Sequence, residues 1–156
     1  MIVVRPWAEF DADFPSDQIE DEHDIVQFGG KNVAEAICGL LAGFGCIVEE
    51  PEYAGEHGWE CLLSYNGRSL WFQISGVGEY LFLCQPTWGG RRDPRYIDAL
   101  LKLNDALRQD GRFHKLGWFR SEDVLSGKAG ADSPVVDEEW SLKEMLRAFA
   151  RLLRQI

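Results

Sequence analysis

The dipeptide Asn66-Gly67, inside the stretch GWECLLSYNGRSLWFQISGVGEYLFLCQP from Gly58 to Pro86, constrains this chain more than any other feature. A two-residue reversal of the I′ type needs positive φ at both central residues, and Asn-Gly between apolar segments meets that need. The reversal sets a register in which Tyr65 faces Arg68, Leu63 faces Leu70, Cys61 faces Phe72 and Trp59 faces Ile74. Side chains alternate across a strand, so Trp59, Cys61, Leu63, Leu70, Phe72 and Ile74 share one side, the expected core face. The other side carries Glu60, Leu62, Ser64, Ser69, Trp71 and Gln73, with Leu62 directly across from Trp71. An apolar pair at the centre of that second side calls for a cover.

A third strand, Glu79 to Gln85, follows Gly76-Val77-Gly78. With a three-residue loop, Leu81 and Leu83 join Leu62 and Trp71; with a two-residue loop, Tyr80 and Phe82 do. Upstream, Val33, Ile37, Leu40, Leu41 and Phe44 recur at helical spacing, with Asn32 and Glu35 as a capping pair and Gly43 and Gly45 as the stop. Cys46 to Glu50 reads as a short strand ended by Pro51. Downstream, Asp93-Pro94 opens a helix whose stripe is Tyr96, Ile97, Leu100, Leu101, Asn104 and Leu107. Phe113 to Phe119 reads as a strand, with Phe113, Lys115, Gly117 and Phe119 alternating against His114, Leu116 and Trp118. SGKAGADSPV reads as a mobile loop. A last helix starts near Asp137 or Ser141 and sets Leu142, Met145, Leu146, Phe149, Leu153 and Ile156 on one face. The expected class is α+β, a single antiparallel β-meander sheet packed with three α-helices.

The chain has 156 residues and a formal net charge of −10. That length suits one core-bearing domain. From Met1 to Asp24 eight acids stand against Arg5 alone, so residues 1–28 read as an acidic arm, pinned by Trp7, Phe10 and Phe14, before a single α+β domain over 29–156. Between Arg91 and Arg120 basic residues prevail. An acidic total disfavours nucleic acid as a partner, because phosphate backbones need clustered Lys and Arg. No leader pattern and no run of eighteen apolar residues is present, so a cytoplasmic protein without a membrane partner is expected. Cys38, Cys46, Cys61 and Cys84 form no C-x-x-C pair and lack a His at ligand spacing, and they read as buried, reduced thiols.

No catalytic signature is present, and the expectation is a protein that is not an enzyme and needs neither metal nor cofactor. His23, His57 and His114 are the histidines. Glu56-His57 lies near Cys61 in sequence, but the register turns Cys61 into the core. The acids of EDEHD, Glu20 to Asp24, carry ligand-type oxygens, yet no calcium loop with its Gly and closing Glu surrounds them. Gly76-Val77-Gly78 joins two strands and has no phosphate-loop context. Aromatic residues give the stronger signal, since exposed Trp and Tyr concentrate at binding hot spots. Trp71 on the second sheet face and Trp88 in a Gly-rich loop are the contact candidates. Glu20, Asp21, Glu22 and Asp24 are the candidates for steering a basic partner, and Leu62 joins them through its register. An alternative of another class is a pocket for a small anionic ligand, in a sensor or an enzyme of unrecognised type, formed by Trp88, Arg91, Arg92 and His114.

The YNGRSLWFQIS hairpin, the meander after it and the terminal amphipathic helix together resemble the type III secretion chaperone-like superfamily, which includes YbjN-like proteins and immunity proteins of toxin systems. The resemblance covers about residues 32–156 and rests on element order and acidity. It implies a bacterial, non-enzymatic protein that binds another protein, such as a toxin or a secreted effector, often as a homodimer. Two departures stand out: the acidic segment before Gly29 is extra, and only one clear strand lies between the second and third helices.

Overall fold

A computed structural model describes residues 1–155, apart from the side chains of residues 139–142 and 144. Strands β1 (Ile2–Val4), β2 (Trp7–Ala12), β3 (Ile19–Glu20) and β4 (Ile25–Gln27) precede helix α1 (Lys31–Gly43). Strands β5 (Ile47–Val48), β6 (Glu52–Tyr53), β7 (Trp59–Tyr65), β8 (Arg68–Val77) and β9 (Glu79–Pro86) lead to helix α2 (Pro94–Gln109). Then follow β10 (Phe113–Phe119), β11 (Val135–Asp137) and helix α3 (Glu139–Leu153). The class is α+β with antiparallel pairing. Among the described residues the strands form three sheets rather than one: a main sheet in the order β10-β2-β9-β8-β7-β5 with β6 also on β7, and two ribbons, β1-β11 and β3-β4.

The β7-β8 reversal forms as its chemistry requires, with Asn66 at φ 48° and Gly67 at φ 80°. All the expected pairs are present, Leu62 opposite Trp71 included. β8 continues to Val77, and the β8-β9 register pairs Ser75 with Leu81 and Gln73 with Leu83. Leu81 and Leu83 therefore take the second face, while Tyr80 and Phe82 enter the core at 3% and 0% exposure.

Helices α1 and α2 cover the core face. α1 buries Val33, Ala34, Ile37 and Leu41, and α2 buries Tyr96, Ala99, Leu100, Leu103 and Leu107. The capping pair expected at Asn32 and Glu35 is replaced by a remote cap. Gly30, at φ 115°, precedes the helix, and the Asp17 carboxylate accepts from the amides of Gly30 and Asn32, each at 2.8 Å. Asn32 instead donates through Nδ2 to the Pro15 carbonyl.

The largest difference from the sequence expectation lies in residues 1–28. Residues 7–12 are not an arm: β2 is an interior strand between β9 and β10. Ala8, Phe10 and Ala12 are buried, Phe10 stacks on Tyr80 and meets Phe113 edge-on, and Trp7, Glu9 and Asp11 point to the second face. WAEFDA does alternate, but two of its three outward residues, Glu9 and Asp11, are acids, which hides a strand inside an acidic segment. Only the short β3-β4 hairpin keeps the exposed, acidic character expected of the whole segment.

β10 also departs from simple alternation. A bulge between His114 and Gly117, with Lys115 at φ 55°, lets Phe113 and Trp118 both face the core. The segment after β10 is pinned rather than loose. Ala131 exchanges both backbone hydrogen bonds with Trp118, and Gly130 lies so close to Gly117 that neither position has room for a Cβ. β11 is a second strand between α2 and α3, where one was expected. The third helix does not pack as expected: Met145, Leu146, Phe149 and Leu153 are 57–67% exposed. The side chain of Leu142, and Ile156, lie outside the described residues. No helix among the described residues is long and apolar enough to cross a membrane.

Candidate partner-binding face

The sheet face opposite α1 and α2 takes its geometry from the hydrogen-bonded register. One row of neighbours runs Phe119, Trp7, Leu83, Gln73 and Glu60; the next runs Gln85, Trp71 and Leu62; a third runs Glu9, Leu81 and Ser75. Trp7, Leu81 and Trp71 are partly buried, and Leu62 is 49% exposed. Half of the Leu62 side chain is therefore in water beside an indole, in the middle of a strand.

Two hollows flank this apolar centre. The larger, about 530 Å³, lies against Glu9, Asp11, Ser75, Glu79, Leu81 and Lys115. The smaller, about 170 Å³, has Leu62 and Trp71 at its floor and Glu49, Glu50, Glu52 and Glu60 around it. Seven carboxylates and one lysine thus line the two hollows, and Lys115 already lies 3.4 Å from Asp11. The face repels anions and attracts cations, and its centre is apolar.

The sequence-predicted residues divide between this face and other places. Leu62 and Trp71 sit on it together. Glu20, Asp21, Glu22 and Asp24 do not: they form the tip of the β3-β4 hairpin, where the Asp21 carboxylate accepts from the amides of His23 and Asp24 at 2.9 and 2.8 Å. The acids beside Leu62 and Trp71 come instead from the β5-β6 connection, β6 and β7. The run Glu49-Glu50-Pro51-Glu52 was legible as charge, but only the pairing of β5 and β6 with β7 folds it over the Leu62 row.

Trp88 is 72% exposed but stands elsewhere. Its ring lies 4.3 Å from the Arg68 guanidinium, and its carbonyl accepts from the same group. Arg68 is 3% exposed and belongs to the helix-covered side. Its Nε is 3.3 Å from Asp93, close enough for an ion pair but not aligned for a hydrogen bond. Asp93 caps α2, and hydrogen bonds from the Arg95 side chain and amide hold its carboxyl down to about 2.

The residues of the anionic-ligand alternative do not converge. Arg91 donates to Gln85, Arg92 reaches Met1, and His114 meets Asp13 at 2.6 Å. His114 pairs with Asp11, whose neighbour Glu79 begins β9, whereas Trp88 follows the end of that strand. Seven residue steps of extended chain, about 23 Å, separate the two ends. Among the described residues no three or more His, Cys, Asp or Glu side chains gather as a metal site would require. No protein-family model, curated protein or solved structure matches this chain.

Proposed function

We propose that this chain is a non-enzymatic protein-binding protein, of the immunity or secretion-chaperone type, that neutralises or escorts a basic partner protein docked on the open sheet face. The observation that carries the reading is Leu62, half exposed beside Trp71 within a ring of Glu49, Glu50, Glu52 and Glu60. A desolvated aromatic and aliphatic centre inside a charged rim is the anatomy of a binding hot spot. The rim carboxylates raise the encounter rate with a cationic surface and suppress anionic competitors. β11 gives two strands between α2 and α3, which supports the element order of the chaperone-like resemblance. The anionic-ligand alternative is disfavoured by the separation of His114 from Arg91 and Arg92.

The experiment is affinity capture of the partner from the native host, followed by association kinetics with purified variants. Leu62→Glu and Trp71→Ala weaken binding by about 30-fold or more, the equivalent of about 2 kcal/mol. Glu49→Gln with Glu52→Gln lowers the on-rate and flattens its salt dependence. Deleting residues 1–24 is not a clean test of the hairpin acids, because it removes β2 from the middle of the sheet. Glu20→Gln with Glu22→Gln is. A captured partner whose affinity is unchanged by Leu62→Glu and by Trp71→Ala refutes the face as the binding site.

A further inference from the structure

Among the described residues the molecule carries a second exposed apolar surface, and it complements the first. In α3, Met145, Leu146, Phe149, Leu152 and Leu153 are each 57–67% exposed. At 3.6 residues per turn they fall within an arc of about 120°, a stripe of the width that globular helices bury. Exposed Lys143, Arg147, Arg151 and Arg154 occupy the opposite side. Residues 139–156 hold four basic residues against Glu139 and Glu144, a balance of +2, in a chain of −10. The helix is thus the basic, apolar counterpart of the acidic, apolar sheet face.

Dimensions agree. The four strands β2, β9, β8 and β7 span about 14 Å across, and seven residues of strand run about 23 Å. A helix of 15 residues is about 22 Å long and 10–12 Å wide. The chain's own helix is poorly placed to lie there. β11 is antiparallel to β1, and β1 leads through Arg5 and Pro6 straight into β2. β11 therefore runs away from Pro6, and Glu138, ion-paired with Arg120 just past the end of β10, separates it from α3, whose apolar stripe stays in water rather than on the sheet.

We propose that α3 of one copy docks its Met145-Leu146-Phe149 stripe on the Leu62-Trp71 sheet face of a second copy, with the exchange made reciprocally in a two-fold dimer. A reciprocal contact closes at two copies, whereas one-way docking continues into a filament. The four basic side chains stand about one helix diameter from the rim carboxylates. That is close to one Debye length at physiological salt, so the attraction is salt-sensitive. A lipid surface is the other occupant for which a basic amphipathic helix is suited. Here, however, the rest of the chain carries −12, which opposes approach to the anionic headgroups that would hold such a helix. The inference rests on the same open face as the functional reading, and α3 and a basic partner protein compete for it.

The test is sedimentation and light scattering of the full chain from low to high micromolar concentration. The expected result is a dimer that dissociates more readily as salt rises. Phe149→Glu, on the helix, and Leu62→Glu, on the face, each weaken dimerisation at least about tenfold. Mixing the two variants restores association in part, because the intact helix of the Leu62→Glu chain meets the intact face of the Phe149→Glu chain. Both positions are solvent-exposed, and unchanged circular dichroism and urea midpoint verify the fold. If Leu62→Glu unfolds the body, Leu62→Thr keeps strand propensity and removes the contact. A monomer at every concentration, a dimer that survives either substitution, growth beyond two copies, or a monomer whose Phe149-dependent binding goes to anionic vesicles overturns the proposal. The two readings separate cleanly. Loss of the dimer in Phe149→Glu with partner affinity kept or improved supports both, and partner binding by a wild-type monomer leaves only the functional reading.

Discussion

Asn104 offers the sharpest measurement of what ties the edge of the sheet to its helices. It is one of two buried polar or charged residues among those described, 8% exposed within the apolar stripe of α2. Its Oδ1 accepts from Trp118 Nε1 at 2.8 Å and from Arg108 Nε at 3.1 Å. Trp118 is 1% exposed, so its N–H has no water to turn to when the acceptor is removed. Asn104→Ala therefore leaves one buried donor orphaned, at a cost of about 1–3 kcal/mol. Arg108 is exposed and still reaches the Asp132 carbonyl at 2.8 Å, so its share of the loss is small. Higher helix propensity of Ala returns up to about 0.7 kcal/mol. The net expectation is a destabilisation of about 1–2 kcal/mol, which for a chain of this size lowers Tm by a few degrees. Urea denaturation with an unchanged m-value measures it. The diagnostic is the cycle with Trp118→Phe, which removes the orphan: in that background Asn104→Ala costs about 1 kcal/mol less. A stability within about 0.5 kcal/mol of wild type, or additive effects in the cycle, refutes the bond as the anchor of β10.

Three further outcomes are expected. Asp17→Ala removes the remote carboxylate from the amides of Gly30 and Asn32 and costs about 0.5–2 kcal/mol in urea denaturation, with the earliest hydrogen exchange appearing in the first turn of α1. Gly58→Ala places a Cβ against the Ile74 carbonyl at φ 82°, and a loss of at least about 2 kcal/mol is expected; a fully stable variant contradicts the described turn. The thiols separate by pH. Burial pushes Cys84 up to about 12 and Cys46 up to about 11, while the hydrogen bond with Cys61, 3.4 Å away, lowers Cys38. The hydrogen bond with Cys38 and burial raise Cys61 as well, so native-state alkylation at about pH 8 reaches Cys38 first and the buried Cys61 and Cys84 last, read by peptide mass. Because the folded pKa of Cys84 is raised, its neutral thiol favours the fold below pH 9.0, and that contribution is lost as pH climbs toward 12. Cys84→Ala flattens the alkaline fall in urea midpoint.

Several features followed from local chemistry alone. Asn66-Gly67 sets the β7-β8 register locally, because only a few residue pairs accept two positive φ angles in succession. From that register the shared face of Leu62 and Trp71 followed, and so did the core face from Trp59 to Ile74. The apolar spacing of α2 placed Asn104 on a buried stripe, although nothing in the sequence said that Trp118 was its partner. The candidate face is partly legible: the hairpin register gives its apolar centre and Glu60, but not its other acids. Glu20 to Asp24 form a dense run in sequence, whereas Glu9, Asp11 and Glu79 lie on two strands that meet only through long-range pairing.

Local sequence chemistry fixes the elements whose cause is local: the reversal, the two packed helices and the side of the hairpin on which each strand residue falls. Tertiary structure alone decided that WAEFDA lies between β9 and β10, that a bulge turns Phe113 and Trp118 to the same side, and that α3 leaves the body. The reason is range. Turn chemistry and side-chain period act over a few residues, while the choice of a strand's neighbour is a contest among distant segments, settled by which pairing buries the most apolar surface and leaves the fewest unbonded amides.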